Sequence, residues 1–294
     1  MEKTATRYKV VKSIKDEKFS IDSLHQYVLL LQLGIHDLQM AVVDVQDNKC
    51  LVLEDIILAD IKSNDQWLAV LTEIFENHQF IRAGFWKSVK ISFKNSKFTQ
   101  VPQSLFIPEA ARDYLAINCA PEPGESIHYY RAIKSEAVTI FSCPEKICAW
   151  LKGLYPNSNV GFVHQSASLI EGTLNYAKLH KNNKIYLYID RFKLHITTVK
   201  NNNIEYYNQF QIKQFSEYIK YIMLVMSGLQ YNQKTSHVVI WGYIGKQSPH
   251  YKEFYKYIKD ISFGDRPEFL KFGYVFDEIQ DHHYFDLFSI YLCD

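Results

Sequence analysis

Three carboxylates, several histidines and a pair of closely spaced glycines are the residues whose types and places in this chain invite chemistry. Asp37, Asp44 and Asp190 stand at the ends of apolar segments, where clustered acids in nucleases gather two magnesium ions. Asp37 and Asp44 are seven residues apart, and Asp37 falls where a hairpin turns, so they read as solvated turn acids. His282 and His283 are adjacent. Neighbours on a helix point about 100° apart, which suits a helix start better than a shared metal ion. His36, His164 and His195 meet only through tertiary contact, and each is expected to be satisfied or exposed on its own. The five cysteines, Cys50, Cys119, Cys143, Cys148 and Cys293, include no CxxC pair. That argues against a zinc knuckle or a disulfide framework and fits reduced thiols in a cytosol. There is no GxSxG elbow, and Gly242-Tyr243-Ile244-Gly245-Lys246 is too short and lacks the hydroxyl to imitate a GxxxxGK[ST] loop.

The elements that must position these residues come in two copies. Residues 27–93 and 185–241 read as one unit repeated, with Leu38, Met40, Val42 and Val43 falling on Leu194, Ile196, Thr198 and Val199 at a constant offset of 156. In each copy an apolar segment (27–33; 185–189) leads through a short turn into an alternating segment, the period-two pattern of a half-buried strand. A polar hairpin follows, Gln46-Asp47-Asn48 in one copy and Asn201-Asn202-Asn203 in the other. These residues tolerate the positive backbone angles of tight turns. Next come a strand (50–58; 204–210), a helix and an apolar strand (89–93; 238–241). The first helix shows Trp67, Leu68, Leu71, Ile74 and Phe75 behind Ser63 or Asn64 as N-cap; the second shows Phe215, Tyr218, Ile219, Ile222, Val225 and Met226. The spacing thus predicts β-β-β-α-β twice.

Between the copies, Pro108 opens a helix reaching 119, a hairpin spans 127–132 and 137–142, and Pro144 opens another helix. A strand at 160–164 and a helix at 166–179 follow, and residues 281–293, apolar on one side, read as a closing helix. At 294 residues and 47% hydrophobic, the chain is large enough for two cores. The expected division is residues 1–180, with an inserted subdomain at about 103–158, and residues 181–294, whose terminal helix packs back toward the first domain. A net charge of +1 lacks the basic excess of nucleic-acid binders, so no such partner is predicted. The 21 Tyr and 19 Phe are spread along nearly every element, which points to packing rather than base stacking. The N-terminal stretch with Lys3, Arg7, Lys9 and Lys12 contains no apolar run of signal length. A soluble, cytoplasmic protein without a membrane span is expected.

The repeated units, the insertion and the aromatic terminal segment His282-His283-Tyr284-Phe285 resemble the actin-like ATPase superfamily, nearest its bacterial cell-division and pilus-assembly members. More narrowly, Tyr27-Val28-Leu29-Leu30-Leu31-Gln32-Leu33-Gly34, Gln103-Ser104-Leu105-Phe106-Ile107-Pro108-Glu109-Ala110 and His164-Gln165-Ser166-Ala167-Ser168 resemble a family of unknown function in Bacteroidota with an actin-like fold. The resemblance implies an α/β protein of duplicated actin-like (ribonuclease-H-like) domains, mixed sheets flanked by helices. Active members of the superfamily carry Asp, any residue, Gly, then Ser or Thr in the first hairpin: a carboxylate to order metal-bound water, N–H groups and a hydroxyl to hold phosphate. Those places hold Gln32, Leu33, Gly34, Ile35 and His36, and only the glycine survives. The second hairpin reads Tyr188, Ile189, Asp190, Arg191 and Phe192; the bulk of Phe192, where small residues admit a phosphate, argues for a closed mouth. The glycine cluster that lets an adenine approach the backbone corresponds to Trp241 through Lys246, with two glycines left.

Gln32, Gly34, His36, Asp190, Arg191, Gly242, Gly245 and Lys246 are therefore the degenerate cleft positions. No catalytic residue, metal or cofactor is expected. The implied function is a non-catalytic one exercised on an unidentified protein partner through an aromatic surface or a sheet edge. The alternative is a divergent enzyme that binds or hydrolyses ATP with magnesium in the interdomain cleft, with Asp190 and Lys246 in unfamiliar roles.

Overall fold

Tyr27–Gly34 is apolar at nearly every position, the composition of a strand covered on both faces. In the computed structural model, which describes residues 7–180 and 184–294, this strand lies inside a seven-stranded sheet with every residue buried. In chain order the elements are β1 (Tyr8–Lys15), β2 (Tyr27–Gly34), β3 (Asp37–Asp44), β4 (Lys49–Leu58), α1 (Asn64–Asn77), β5 (Ser88–Lys94), β6 (Phe98–Pro102), α2 (Ala111–Asn118), β7 (Glu125–Arg131), β8 (Ala137–Pro144), α3 (Glu145–Leu154) and β9 (Asn159–His164). There follow α4 (Gln165–His180), β10 (Lys184–Ile189), β11 (Lys193–Lys200), β12 (Asn203–Gln211), α5 (Phe215–Gly228), β13 (Val238–Gly242), α6 (Pro249–Tyr257), β14 (Ile261–Phe263), β15 (Lys271–Phe272) and α7 (Phe285–Ser289). No helix among the described residues is long and apolar enough to cross a membrane.

The chain forms two compact units. One runs to Ser168 and takes in Phe269–Glu278 and Leu287–Asp294; the other comprises Leu169–Glu268 and Ile279–Asp286. The junction expected between residues 180 and 181, like Lys3 at the N-terminus, touches residues outside the described ones.

The first unit's main sheet runs β1-β4-β3-β2-β5-β9, with β15 paired to β4; the second unit's runs β12-β11-β10-β13-β14. The shared order β4-β3-β2-β5 and β12-β11-β10-β13 is the repeat in space. Its registers agree residue for residue: Leu31 faces Met40 and Leu33 faces Leu38, while Leu187 faces Ile196 and Ile189 faces Leu194. Even the irregularity is copied, a register shift between Val42 and Val43 in one unit and between Thr198 and Val199 in the other. A bulge re-aims the strand that carries it, so keeping it at the same place keeps the same sheet curvature. The polar hairpins turn as their residues allow, with Asn48, Asn201 and Asn202 all at positive φ.

Both crossover helices start on side-chain caps. Ser63 accepts from the Gln66 N–H ahead of α1, and Gln214 with Glu217 forms a capping box ahead of α5. The helix α1 then buries Trp67, Val70, Leu71, Ile74 and Phe75, each worth roughly 1.5–3 kcal/mol of transfer. In the insertion, β6-β8-β7 form a small sheet whose strand β8 serves two cores. Val138 and Ile140 pack with Val101, Phe106 and Leu115, whereas Phe141 and Cys143 point into the main core of the first unit.

Residues 281–293 do not make one closing helix. Tyr284 sits at φ 58, a left-handed position that stops a helix from passing, and α7 covers only Phe285–Ser289 before a 3-10 turn over Ile290–Leu292. Asp37 is not a solvated turn acid either. It is 2% exposed, and Lys94 Nζ donates to its Oδ2 at 2.8 Å. A strand buried on both faces leaves no water for a charge, and the Lys94 ammonium compensates the carboxylate at the start of β3. Replacing Lys94 by Met removes the compensating charge and should lower stability by about 3–5 kcal/mol, with Asp37→Asn added to Lys94→Met recovering much of the loss. Urea unfolding of the two variants checks this, and a melt of Lys94→Met matching the parent refutes it.

Candidate functional site

The positions that the resemblance singles out lie at the carboxyl ends of central strands, the end of an open α/β sheet where ligands bind. In the first unit these are Gln32, Gly34 and His36, at the β2–β3 turn. Gln32 is fully buried and its Nε2 donates to Gln39 Oε1 at 3.0 Å across the strand pair, a neutral amide pair inside the sheet. A Cβ on Gly34 would stand 2.6 Å from Asp37 Oδ1, and the glycine therefore makes room for the buried ion pair. His36 is exposed, and its carbonyl accepts from the Leu58 N–H at 2.8 Å.

In the second unit, Asp190, Arg191, Gly242, Gly245 and Lys246 come together where β10 turns into β11 and β13 leaves the sheet. Asp190 is 4% exposed, and its Oδ1 accepts the Arg191 N–H at 2.8 Å, capping its own turn. The Arg191 guanidinium lies 4.6 Å from the centre of the Tyr243 ring, a cation–π contact. Lys246 Nζ is 5.5 Å from the Phe263 ring centre. Gly242 is at φ 96, and a Cβ there would sit 2.1 Å from the Ile189 carbonyl oxygen, so backbone packing demands this glycine. Gly245 has open space around it.

A pocket of about 320 Å³ opens at this end, walled by Ile189, Phe192, Phe215, Tyr218 and Tyr243, with Arg191 and Lys213 at its polar side. Phe192 stands 47% exposed at the wall. The pocket's shape is fixed by His282, whose carbonyl accepts the Gly242 N–H at 2.8 Å and whose Nε2 lies 2.7 Å from the Ile244 carbonyl. A carbonyl only accepts, so Nε2 carries the proton. Burial lowers the His282 pKa against the opposing pull of that hydrogen bond, and burial with the neighbouring His282 brings His283 down to about 4. The adjacent rings, 4.8 Å apart at 83°, are thus both neutral structural groups near pH 7.

Below the turn, the Tyr188 hydroxyl donates to the buried Asp286 carboxylate. Burial first, and then the Asp286 charge, raises Tyr188 well above the usual phenol range. Asp286 was readable as an acid inside the apolar run Tyr284, Phe285, Leu287 and Phe288, a signal that the sequence reading passed over. The three histidines stay apart in their roles: His164 is buried, with Nδ1 2.8 Å from Ser166 Oγ, His195 Nδ1 lies 2.8 Å from the Tyr207 hydroxyl, and His36 faces water. Asp37 and Asp44 occupy opposite ends of β3, about 23 Å apart at the rise of a strand, and cannot share a metal pair.

Two measurements test this geometry. Gly242→Ala should cost about 3 kcal/mol or more, because it meets both positive φ and the Ile189 backbone, while Gly245→Ala should stay within about 0.5 kcal/mol. Equal melting curves for the two would contradict the packing role. For pH, the folded values of His282 and His283 lie below 6.5, so the unfolded chain binds the extra protons. Their stabilising contribution is therefore full above pH 6.5 and lost as pH falls toward about 4. His283→Gln should flatten the stability curve in that window; an unchanged slope would exclude His283 as a source.

Among solved structures, the chain is similar to a Bacteroides thetaiotaomicron protein of unknown function with an actin-like ATPase fold, at 20% identity and a TM-score of 0.78, covering 94% of this chain and 99% of that one. It is also similar to the PilM-PilN type IV pilus biogenesis complex, at 12% identity and a TM-score of 0.58, covering 90% of this chain and 97% of that one. The fold is therefore actin-like. No curated protein matches the chain. The family described as protein of unknown function DUF3822 matches residues 16–261, and with most of its length so matched the chain belongs to that family.

Proposed function

We propose that this chain is a non-catalytic actin-like protein that acts by holding a partner protein, and that the aromatic pocket of the second unit receives the partner's side chains. The observation that carries the reading is the occupancy of the β10–β11 turn. Where active actin-like ATPases present small residues to a phosphate, this chain has Arg191 laid on Tyr243 and an exposed Phe192 beside them. Aromatic and Arg side chains at the mouth of a preformed pocket are the composition of protein-binding anchors. The two cations at its polar side, Arg191 and Lys213, favour an apolar side chain flanked by an acid. In the first unit, the amide pair Gln32–Gln39 stands where an active site would keep a metal-ordering carboxylate. The similar PilM fold is found in a complex with PilN, which supports partner binding by this architecture. Five free cysteines support a reducing, cytoplasmic setting.

Titration calorimetry of the full chain with ATP and magnesium tests the reading. No saturable heat is expected up to millimolar nucleotide. Tight binding accompanied by turnover would replace this function with that of a divergent ATPase.

A further inference from the structure

A cluster in the insertion of the first unit has chemistry that the pocket does not use. The strand β8 closes with Cys143 and Pro144, α3 begins at Glu145 and carries Cys148, and β7 lays His128 over the same spot. One ligand atom from each of His128, Cys143 and Cys148 lies within 4.8 Å of the others. The two sulfurs are 2.7 Å apart. Two thiolates on one tetrahedral zinc stand about 3.7 Å apart, as bonds of about 2.3 Å require, so this spacing favours sulfur chemistry over a shared cation.

We propose that Cys143 and Cys148 are a reversible dithiol–disulfide pair oxidised by small hydroperoxides, with Cys148 as the attacking sulfur, Cys143 as the resolving sulfur and His128 as the proton acceptor. The two thiols are unequal. The hydrogen bond from Cys143 brings Cys148 down to about 5, with further help from His128, and the same bond with burial raises Cys143. The thiolate is the nucleophile, which sets the order of events. The Cys148 thiolate attacks one oxygen of the peroxide, an S–O bond forms as the O–O bond breaks, and the departing oxyanion takes the proton that Cys148 had given to His128. The Cys143 thiol then attacks Cys148 Sγ, an S–S bond forms, the S–O bond breaks and water leaves. Two electrons pass from the sulfurs to the peroxide, and external thiols return them. Cys148, 4% exposed against 0% for Cys143, is the sulfur that a small oxidant or a small external thiol meets first. Ser126 Oγ, 2.8 Å from His128 Nε2, holds the ring in place.

The reduced full-length chain, treated with hydrogen peroxide and digested with trypsin under alkylating conditions, tests the proposal. Cleavage at Lys146 separates the two cysteines, so oxidation should appear as peptides 135–146 and 147–152 joined by a bond that dithiothreitol breaks. The pair should oxidise at least tenfold faster than the more exposed Cys119 of the same molecule. Cys143→Ser should stop at a sulfenic acid on Cys148 that dimedone captures, and His128→Gln should slow linkage about tenfold while circular dichroism stays unchanged. Linkage no faster than oxidation of Cys119 would overturn the proposal. So would one equivalent of zinc retained by the purified chain and lost in Cys148→Ser, which would make the cluster a cation site.

Discussion

Each unit depends on one strand that is hydrogen-bonded along both edges and buried on both faces. For the first unit this is β2, antiparallel to β3 on one side and parallel to β5 on the other; for the second it is β10, between β11 and β13 in the same senses. A strand so placed admits no water, so its side chains must be apolar or internally paired. The parallel edge must also be reached by a crossover, which is why each unit needs its helix before β5 or β13 can form. Only at the carboxyl end, where the ladder stops, does the backbone turn outward, and every candidate position falls there.

The same constraint explains what the surviving glycines mean. Gly34, read against a phosphate hairpin, and Gly242, read against the glycine cluster that admits an adenine, are each demanded by their own neighbours: the Asp37 carboxylate in one case, the Ile189 backbone in the other. A glycine retained at a strand end is therefore poor testimony for a nucleotide. Gly245, which nothing crowds, is the position where openness is a property of the surface. Gln32 tells the same story from the polar side, since its amide Nε2 donates to Gln39 within the buried ladder.

The repeat was legible because period and register are both written in the sequence: strands β2 to β5 and β10 to β13 follow from alternation and turn residues. What escaped was whatever tertiary contact decides. The strand β1 reads Tyr-Lys-Val-Val-Lys-Ser-Ile-Lys and is largely exposed, so its pairing to β4 leaves no apolar alternation to find, and β14 has only three residues. Asp37 looked like a turn acid because its partner, Lys94, is 57 positions away. Cys143 and Cys148 escaped a search for CxxC because their approach is made by a strand end folding onto the first turn of a helix, and His128 arrives from a neighbouring strand. At the candidate pocket, composition located the residues but not their exposure.

Aromatic richness is where sequence and structure part most usefully. Most of it is absorbed inside: Trp241 stacks on Phe285 at 4.1 Å and on Tyr186 at 5.7 Å, with Tyr176 edge-on at 4.8 Å. The indole N–H of Trp241 donates to the Asp265 carbonyl at 3.1 Å, which fixes the stack. Trp241, at the end of β13, is 1% exposed and serves the core. One residue beyond the Gly242 turn, Tyr243 faces the other way and meets Arg191. A single strand exit therefore divides aromatic side chains between the buried core and the pocket wall, and the division is set by the positive φ at Gly242.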